Sequence, residues 1–356
     1  MLHEARNIEK LDNLLLQEGL QELQRRLPPG WSAGDLVFEP RPAFVDATVQ
    51  ITSPDKRKGS IALEVRARLE PKAVRSLADR MRELQTRDTF IVLSRYLSES
   101  TRALLTEERL GYLDLTGNAR IILPKPGLYI ETQGATEDPD REERPARSLR
   151  GAKAGRIVRA LVDLKVSPGV RELAALTKID AGYVSRVLAF LDTEALITRI
   201  GRGRMQGVDW PALLKRWAKD APLESRGQLQ TYLEPRGLTA LVAKLAKTNK
   251  PYAVTGSLAA ANLSPIAPPR LAMIWVQDAG KVAANLALRP ADSGANVMLV
   301  EPNDDWVFQS AAEQSSVRYA APSQIAADLL TSPGRGPAEG EELIAWMQAN
   351  EEKWRK

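Results

Sequence analysis

The chain of 356 residues contains no cysteine and a single histidine, His3. The lack of cysteine excludes disulfides, thiolate zinc sites and cysteine nucleophiles. The lone histidine excludes clusters of histidine metal ligands, Ser-His-Asp triads and a histidine base within a folded core. Any catalytic chemistry would therefore have to depend on carboxylates together with Lys or Arg.

Long apolar runs are also missing, because no segment approaches the roughly 20 apolar residues that cross a bilayer. The first twenty residues mix both charge signs in a helical pattern, which differs from a secretory signal. These features predict a cytoplasmic location and no membrane partner.

The length predicts two or three domains of about 100 to 150 residues each. Residues 136–150 are charged, contain two prolines and show no apolar periodicity, so they are expected to form a linker. A second boundary is expected near 219–228, where Pro, Ser and Gly cluster. The predicted domains are therefore 1–135, 151–220 and 225–356, in a multidomain fold of the α/β and α+β classes.

Residues 1–135 show a helical pattern over 4–26, three extended segments, and further helices near 72–85 and 99–110 around a strand at 89–94. Two short strands follow, with Thr116, Gly117 and Asn118 between them, a combination that favours a hairpin. We expect Asp114 and Asn118 to hold this turn by side-chain hydrogen bonds rather than to bind a ligand.

The segment "GSIALEVRARLEPKAVRSL" places Glu64 and Arg66 on one face of a strand, and Asp46 precedes Glu64 by 18 residues. Over residues 35–130 this pattern resembles the PD-(D/E)XK nucleases, with Arg66 where that pattern has lysine. The resemblance implies a restriction-endonuclease-like domain in which two carboxylates hold Mg²⁺. Arginine exchanges protons poorly, so we expect no catalysis, no metal and no cofactor. The alternative is a Mg²⁺-dependent DNA nuclease that uses Asp46, Glu64 and Arg66.

Residues 154–218 have the pattern of a winged helix-turn-helix. A first helix is broken at Pro168-Gly169, a short second helix follows, and Asp180 is a good N-cap for a third. In that third helix, "AGYVSRVLAFL", the apolar residues share the spacing that buries one face: Val184, Val187, Leu188 and Leu191. Two strands joined by a Gly-Arg-Gly-Arg tip would form the wing.

Positive charge is concentrated in this module. Residues 151–220 contain 13 Lys and Arg against 7 Asp and Glu, a net charge of +6, whereas the whole chain carries +5. Such a patch is typical of a surface that docks a polyanion. We expect double-stranded DNA, with base edges contacted by Tyr183, Ser185 and Arg186, and phosphates contacted by Lys153, Arg156, Arg202 and Arg204. The alternative is a winged helix that makes protein contacts.

Residues 225–356 alternate helix and strand, which predicts a small α/β domain. "YAVTGSLAAANL" has a Gly-Ser turn like that of nucleotidyltransferases, but Pro268, Pro269 and Arg270 stand where their metal-binding carboxylates would be needed. We therefore expect a nucleotidyltransferase-like fold without transferase chemistry, in which Gly256-Ser257 is a packing turn.

Together with the winged-helix pattern, the segments "GYLDLTGNARI", "YAVTGSLAAANLSPIAPPRLAMIWV" and "RYAAPSQIAADLLTSPGRGPAEGEELIAWM" resemble helix-turn-helix regulators and the AbiEi antitoxins of type IV toxin–antitoxin systems. The resemblance implies a transcriptional regulator that represses its own operon and a cognate nucleotidyltransferase toxin as protein partner. An antitoxin acting by protein contact is the alternative function it implies. A homodimer would suit a palindromic operator, although the sequence does not determine this symmetry.

Overall fold

The computed structural model describes residues 2–38, 45–84, 88–139, 148–200, 204–264 and 268–356, and for residues 2–11, 200 and 204 it describes the backbone. The chain folds into two compact units, Met1–Arg144 and Pro145–Lys356. The first unit contains one seven-stranded sheet, and the second contains another together with a two-stranded hairpin. This mixed α/β, multidomain architecture confirms the coarse fold class expected from the sequence.

The elements of the first unit follow one another in this order: α1 Leu2–Arg26, β1 Ser32–Phe38, β2 Ala47–Thr52, β3 Lys58–Val65, α2 Pro71–Glu83, β4 Thr89–Ser94, α3 Glu99–Glu107, β5 Gly111–Asp114, β6 Ala119–Leu123 and β7 Leu128–Thr132. The strands are adjacent in chain order. The pairs β3–β4 and β4–β5 are parallel because α2 and α3 connect them, and the other pairs are antiparallel.

The two faces of this sheet are covered by different helices. Leu15 of α1 belongs to the same buried cluster as Ile91 of β4, whereas Val74 of α2 packs with Val92. Neighbouring strand residues point to opposite faces, so both faces of β4 are apolar and buried. The unit is therefore a mixed sheet between two helical layers.

The second unit begins with a helical group and a hairpin: α4 Ala152–Asp163, α5 Val170–Thr177, α6 Ala181–Thr193, β8 Ile197–Ile200, β9 Arg204–Val208 and α7 Trp210–Asp220. The rest of the unit surrounds the second sheet: α8 Leu223–Arg226, β10 Gly227–Leu233, α9 Gly237–Leu245, β11 Tyr252–Thr255, α10 Gly256–Leu263, β12 Ala272–Val276, α11 Ala279–Asn285, β13 Arg289–Pro290, β14 Val297–Pro302, α12 Trp306–Gln309, β15 Ala312–Gln314, β16 Val317–Tyr319, α13 Pro322–Leu330, α14 Gly336–Ala349 and α15 Glu351–Trp354. Its strand order is β13-β10-β14-β12-β11-β16-β15.

The helical group and the second sheet share one hydrophobic core, which extends from Leu149 to Met347. Helix α7 contacts both α4 and α13, and its Trp217 is buried between them. The segments predicted as separate domains, 151–220 and 225–356, therefore lie in one compact unit. Leu149, at the end of the predicted linker, is fully buried and donates its N–H to Asp220.

Side-chain caps begin several helices where the sequence predicts. The Asp180 carboxylate accepts the N–H of Tyr183 at 3.0 Å at the start of α6, and Asp209 accepts the N–H of Ala212 at 3.1 Å at the start of α7. Each cap satisfies a backbone donor that has no partner within its helix. Asp180 thus determines where α6 begins and which residues its exposed first turns present.

Candidate nucleic-acid interface

Helices α4, α5 and α6 and the β8–β9 hairpin have the order expected of a winged helix-turn-helix. Lys178 ends α5 in the left-handed conformation, with φ 56° and ψ 42°, and α6 starts at Ala181. This turn redirects the chain within three residues. The predicted apolar stripe of α6 is confirmed, because all four of its residues are buried: Val184, Val187, Leu188 and Leu191.

The opposite face of α6 is open. Gly182, Ser185 and Arg186 are exposed, and Tyr183 is half-buried against the core. The Arg186 guanidinium lies 5.7 Å from the centre of the Tyr183 ring, and the Lys153 ammonium lies 6.0 Å from it. The structure therefore brings Lys153, Tyr183 and Arg186 together around the start of α6.

This face carries cations that remain available to a ligand. Arg171, Lys178, Arg186 and Lys153 are exposed, and no ion pair joins any of them to a carboxylate of the described residues. The acidic residue of α5, Glu172, instead accepts the N–H of Gly169 at 2.9 Å as a cap. Exposed cations without internal partners raise the local potential and attract polyanions.

Arg156 has a different environment from its neighbours. Its Nε lies 2.7 Å from Oδ2 of Asp304, and its guanidinium lies 5.5 Å from the Trp306 ring centre. The side chain is 28 % exposed. Arg156, which the sequence predicts as a phosphate contact, is therefore held by a loop from the sheet region of the same unit.

The wing is described only in part. Strands β8 and β9 pair antiparallel, with Ile200 opposite Arg204 at the end towards the tip. The predicted contact Arg202 lies outside the described residues, and for Arg204 the backbone position alone is described. This backbone places Arg204 beside the tip.

In the first unit, Asp46 and Glu64 meet across strands β2 and β3. The Asp46 carboxylate accepts the N–H of Val65 at 2.8 Å, and Glu64, which is 5 % exposed, contacts both Arg66 and Arg80. Burial raises the pKa of Glu64, the nearby Asp46 charge raises it further, and the two arginines oppose this shift. The Glu64 carboxylate is thus paired with two arginines of its own unit.

These carboxylates do not fit a Mg²⁺ site as they lie. Two guanidiniums already contact the Glu64 carboxylate, and a divalent cation would have to displace them. Among the described residues, no group of three His, Cys, Asp or Glu side chains could hold a metal ion.

Asp114 and Asn118 form a buried network that holds the β5–β6 turn, as predicted. One Asp114 oxygen accepts both the N–H and the hydroxyl of Thr116 and the N–H of Asn118, and the other accepts from the Asn118 amide and from the N–H of Leu97. The Asp114 carboxylate is 0 % exposed, and these five hydrogen bonds occupy its acceptor sites. The pair therefore has a structural role.

The Gly256-Ser257 turn, with which α10 begins, is closely packed. Gly256 has φ +66°, and a Cβ added there would lie 2.8 Å from the sulfur of Met273. Glycine is required both for this backbone conformation and for this approach. The geometry matches the expected packing turn.

No helix in the described part of the chain combines the length and apolarity needed to span a membrane. No protein-family model, curated protein or solved structure matches this chain.

Proposed function

We propose that the protein binds double-stranded DNA in a sequence-specific manner and regulates transcription. The observation that carries the proposal is the exposed face of α6, where Ser185 and Arg186 project beside Tyr183. Lys153, Arg171 and Lys178 are also exposed and form no ion pair with a carboxylate of the described residues. In winged-helix proteins the corresponding helix enters the major groove, and its first turns meet base edges. Arginine there can bond guanine O6 and N7 in a bidentate manner.

The two classes of predicted contact have different roles. Arg186 and Ser185 would read bases, whereas Lys153, Arg171 and Lys178 would contact phosphates on either side of the groove. The wing arginines Arg202 and Arg204 would add backbone contacts beside it. Arg156 would contact a DNA phosphate only when its ion pair with Asp304 opens.

The test is a titration of the full chain against duplex DNA over a series of salt concentrations. Arg186→Ala should weaken binding at the preferred site by about 1–3 kcal/mol. Arg204→Ala should weaken binding to every sequence and reduce the salt slope by about one unit.

Arg270→Ala is the matched control, because Arg270 is an exposed arginine of the sheet region outside the proposed interface. It removes the same charge and should leave the affinity within experimental error. Equal affinity of the Arg186, Arg204 and Arg270 variants and the wild type would contradict the docking geometry.

The proposal assigns no DNA cleavage to the first unit, because Arg66 and Arg80 already form ion pairs with the Glu64 carboxylate. Supercoiled plasmid incubated with Mg²⁺ and the full chain should stay intact, as it should with the Glu64→Ala variant. Nicking by the wild type that the variant lacks would establish the nuclease alternative instead.

A further inference from the structure

Arg159 of α4 is a buried cation that forms no direct ion pair with the described residues. The residue is 6 % exposed, and none of its nitrogens lies within 4.0 Å of a carboxylate of the described residues. One terminal nitrogen donates to Oε1 of Gln324 at 2.7 Å, and Nε donates to the carbonyl of Gly155 at 3.4 Å. Burial lowers the pKa of Arg159 to about 10, so the group remains charged near neutral pH.

Three carboxylates act on the Arg159 charge without lying within 4.0 Å of its nitrogens: Asp304, Asp163 and Asp328. Asp304 pairs with Arg156, and Asp328 lies 2.8 Å from the guanidinium of Arg226. Asp163 has one buried oxygen without a hydrogen-bond partner among the described residues. Arg226 therefore has a close carboxylate partner, whereas Arg159 has none among the described residues.

Both arginines, Arg159 and Arg226, line a cavity. Its volume is about 70 Å³, and its lining also includes Trp217, Trp275 and Asp304. The Arg159 guanidinium lies 5.8 Å from the Trp217 ring centre, and that of Arg226 lies 4.9 Å from it. Nε of Arg226 is buried without a hydrogen-bond partner among the described residues.

This cavity adjoins a larger cleft of about 490 Å³. The two share four lining residues: Ala152, Pro302, Asn303 and Asp304. The cleft is also lined by Lys153, Arg156 and Lys178 together with the acids Asp304 and Asp305, so its lining carries a net charge of +1. Its volume lies within the range of about 300–1,000 Å³ that is usual for small-molecule sites.

We propose that the second unit binds a small organic carboxylate, with the carboxylate group beside Arg159 in the inner cavity and the rest of the molecule in the cleft. An inner volume of 70 Å³ equals that of about two water molecules, which suits a carboxylate head and no larger acid group. A guanidinium matches a carboxylate in planarity and charge, and a bound carboxylate would give Arg159 the direct ion pair that the described residues do not supply.

The position of the site links it to the proposed interface. Lys153 and Lys178 line the cleft and also flank the start of α6, so an occupant would lie next to the DNA-contacting residues. This link to DNA rests on the proposed function, whereas binding of the carboxylate does not.

The experiment measures ligand binding by the full chain in the absence of DNA. Formate, acetate and benzoate are titrated at constant ionic strength near neutral pH, each against its neutral amide, by calorimetry and by the shift in melting temperature. At least one carboxylate should bind saturably with a dissociation constant below about 10 mM, and its amide should not.

Two variants locate the site. Arg159→Gln should weaken carboxylate binding by about tenfold or more, since it removes the charged donor, and Arg270→Gln should leave it unchanged. Ala152→Phe places a large side chain at the exposed start of α4, where cavity and cleft meet, and it should block binding without touching the core. The Ala152 variant decides the result if the Arg159 variant does not fold.

Absence of saturable binding by all three carboxylates would overturn the proposal. Equal binding of acids and amides, or undiminished binding by the Ala152 variant, would also overturn it. None of these outcomes depends on whether the protein binds DNA.

Discussion

The buried ion pair between Arg226 and Asp328 provides a test of the core that joins the helical group to the second sheet. Asp328 is 0 % exposed, and the side chain of Arg226 is 10 % exposed. In Asp328→Asn the guanidinium stays buried but loses its counter-ion. Breaking a buried pair on one side costs about 3–5 kcal/mol, and the amide NH₂ would also face the donors of Thr255 and Trp275.

Urea unfolding followed by tryptophan fluorescence measures this cost, because six of the seven tryptophans lie in the second unit. We expect the midpoint to fall by the equivalent of about 3–5 kcal/mol in Asp328→Asn. The double variant Arg226→Met with Asp328→Leu removes both charges, so the buried guanidinium no longer lacks a counter-ion. It should recover only part of the loss, because the buried donors of Thr255 and Trp275 still lose their acceptor. A loss below about 1 kcal/mol in the single variant would refute the reasoning.

Three further predictions concern other sites. Asp114→Ala leaves five donors unpaired and should destabilise the first unit by more than about 4 kcal/mol. Hydrogen exchange would show this as a loss of amide protection in the first unit, and unchanged protection would contradict the prediction. Burial raises the pKa of Glu64 in the folded protein above its usual 4.5. As the pH rises above 4.5, the Glu64 carboxyl therefore ionises first in the unfolded chain, which stabilises that state. The stability of the wild type should then fall relative to that of Glu64→Gln. The opposite result would be a wild-type melting temperature that rises relative to that of Glu64→Gln as the pH increases. Asp304→Ala releases Arg156, so DNA binding should tighten and its salt slope should steepen by about 0.9; an unchanged slope would show that Arg156 does not reach a phosphate.

Local features of the sequence predicted much of the fold. The apolar spacing of α6 and the capping residue Asp180 define that helix, and both depend on residues close together in the chain. The Asp114 turn was predictable for the same reason, since most of its bonds span two to four residues. Short-range patterns of this kind directly reflect helix and turn geometry.

Some elements lack such a pattern. Strand β10, Gly227–Leu233, was not predicted, because polar and apolar residues alternate weakly there and its place depends on pairing with β14. Strand β7 and helix α7 were also missed. Helix α7 is amphipathic, but the sequence does not show that its apolar face joins the helical group to the second sheet.

The environments of Arg156 and Arg159 depend on distant segments. The contact between Arg159 and Gln324 spans 165 residues, and that between Arg156 and Asp304 spans 148. The one local signal was that α4 is apolar on nearly all sides, which indicates a second packing surface beyond the winged-helix core. Charge counting alone therefore assigned Arg156 to DNA, whereas its own unit already holds it.

The most direct test of the central claim is selection of duplex DNA from a randomised library by the full chain, repeated with Arg186→Ala. The wild type should enrich one sequence motif, and the variant should lose the preference at one base pair while it keeps the rest of the motif. Enrichment of no motif by the wild type, or an identical motif with the variant, would contradict base readout by α6.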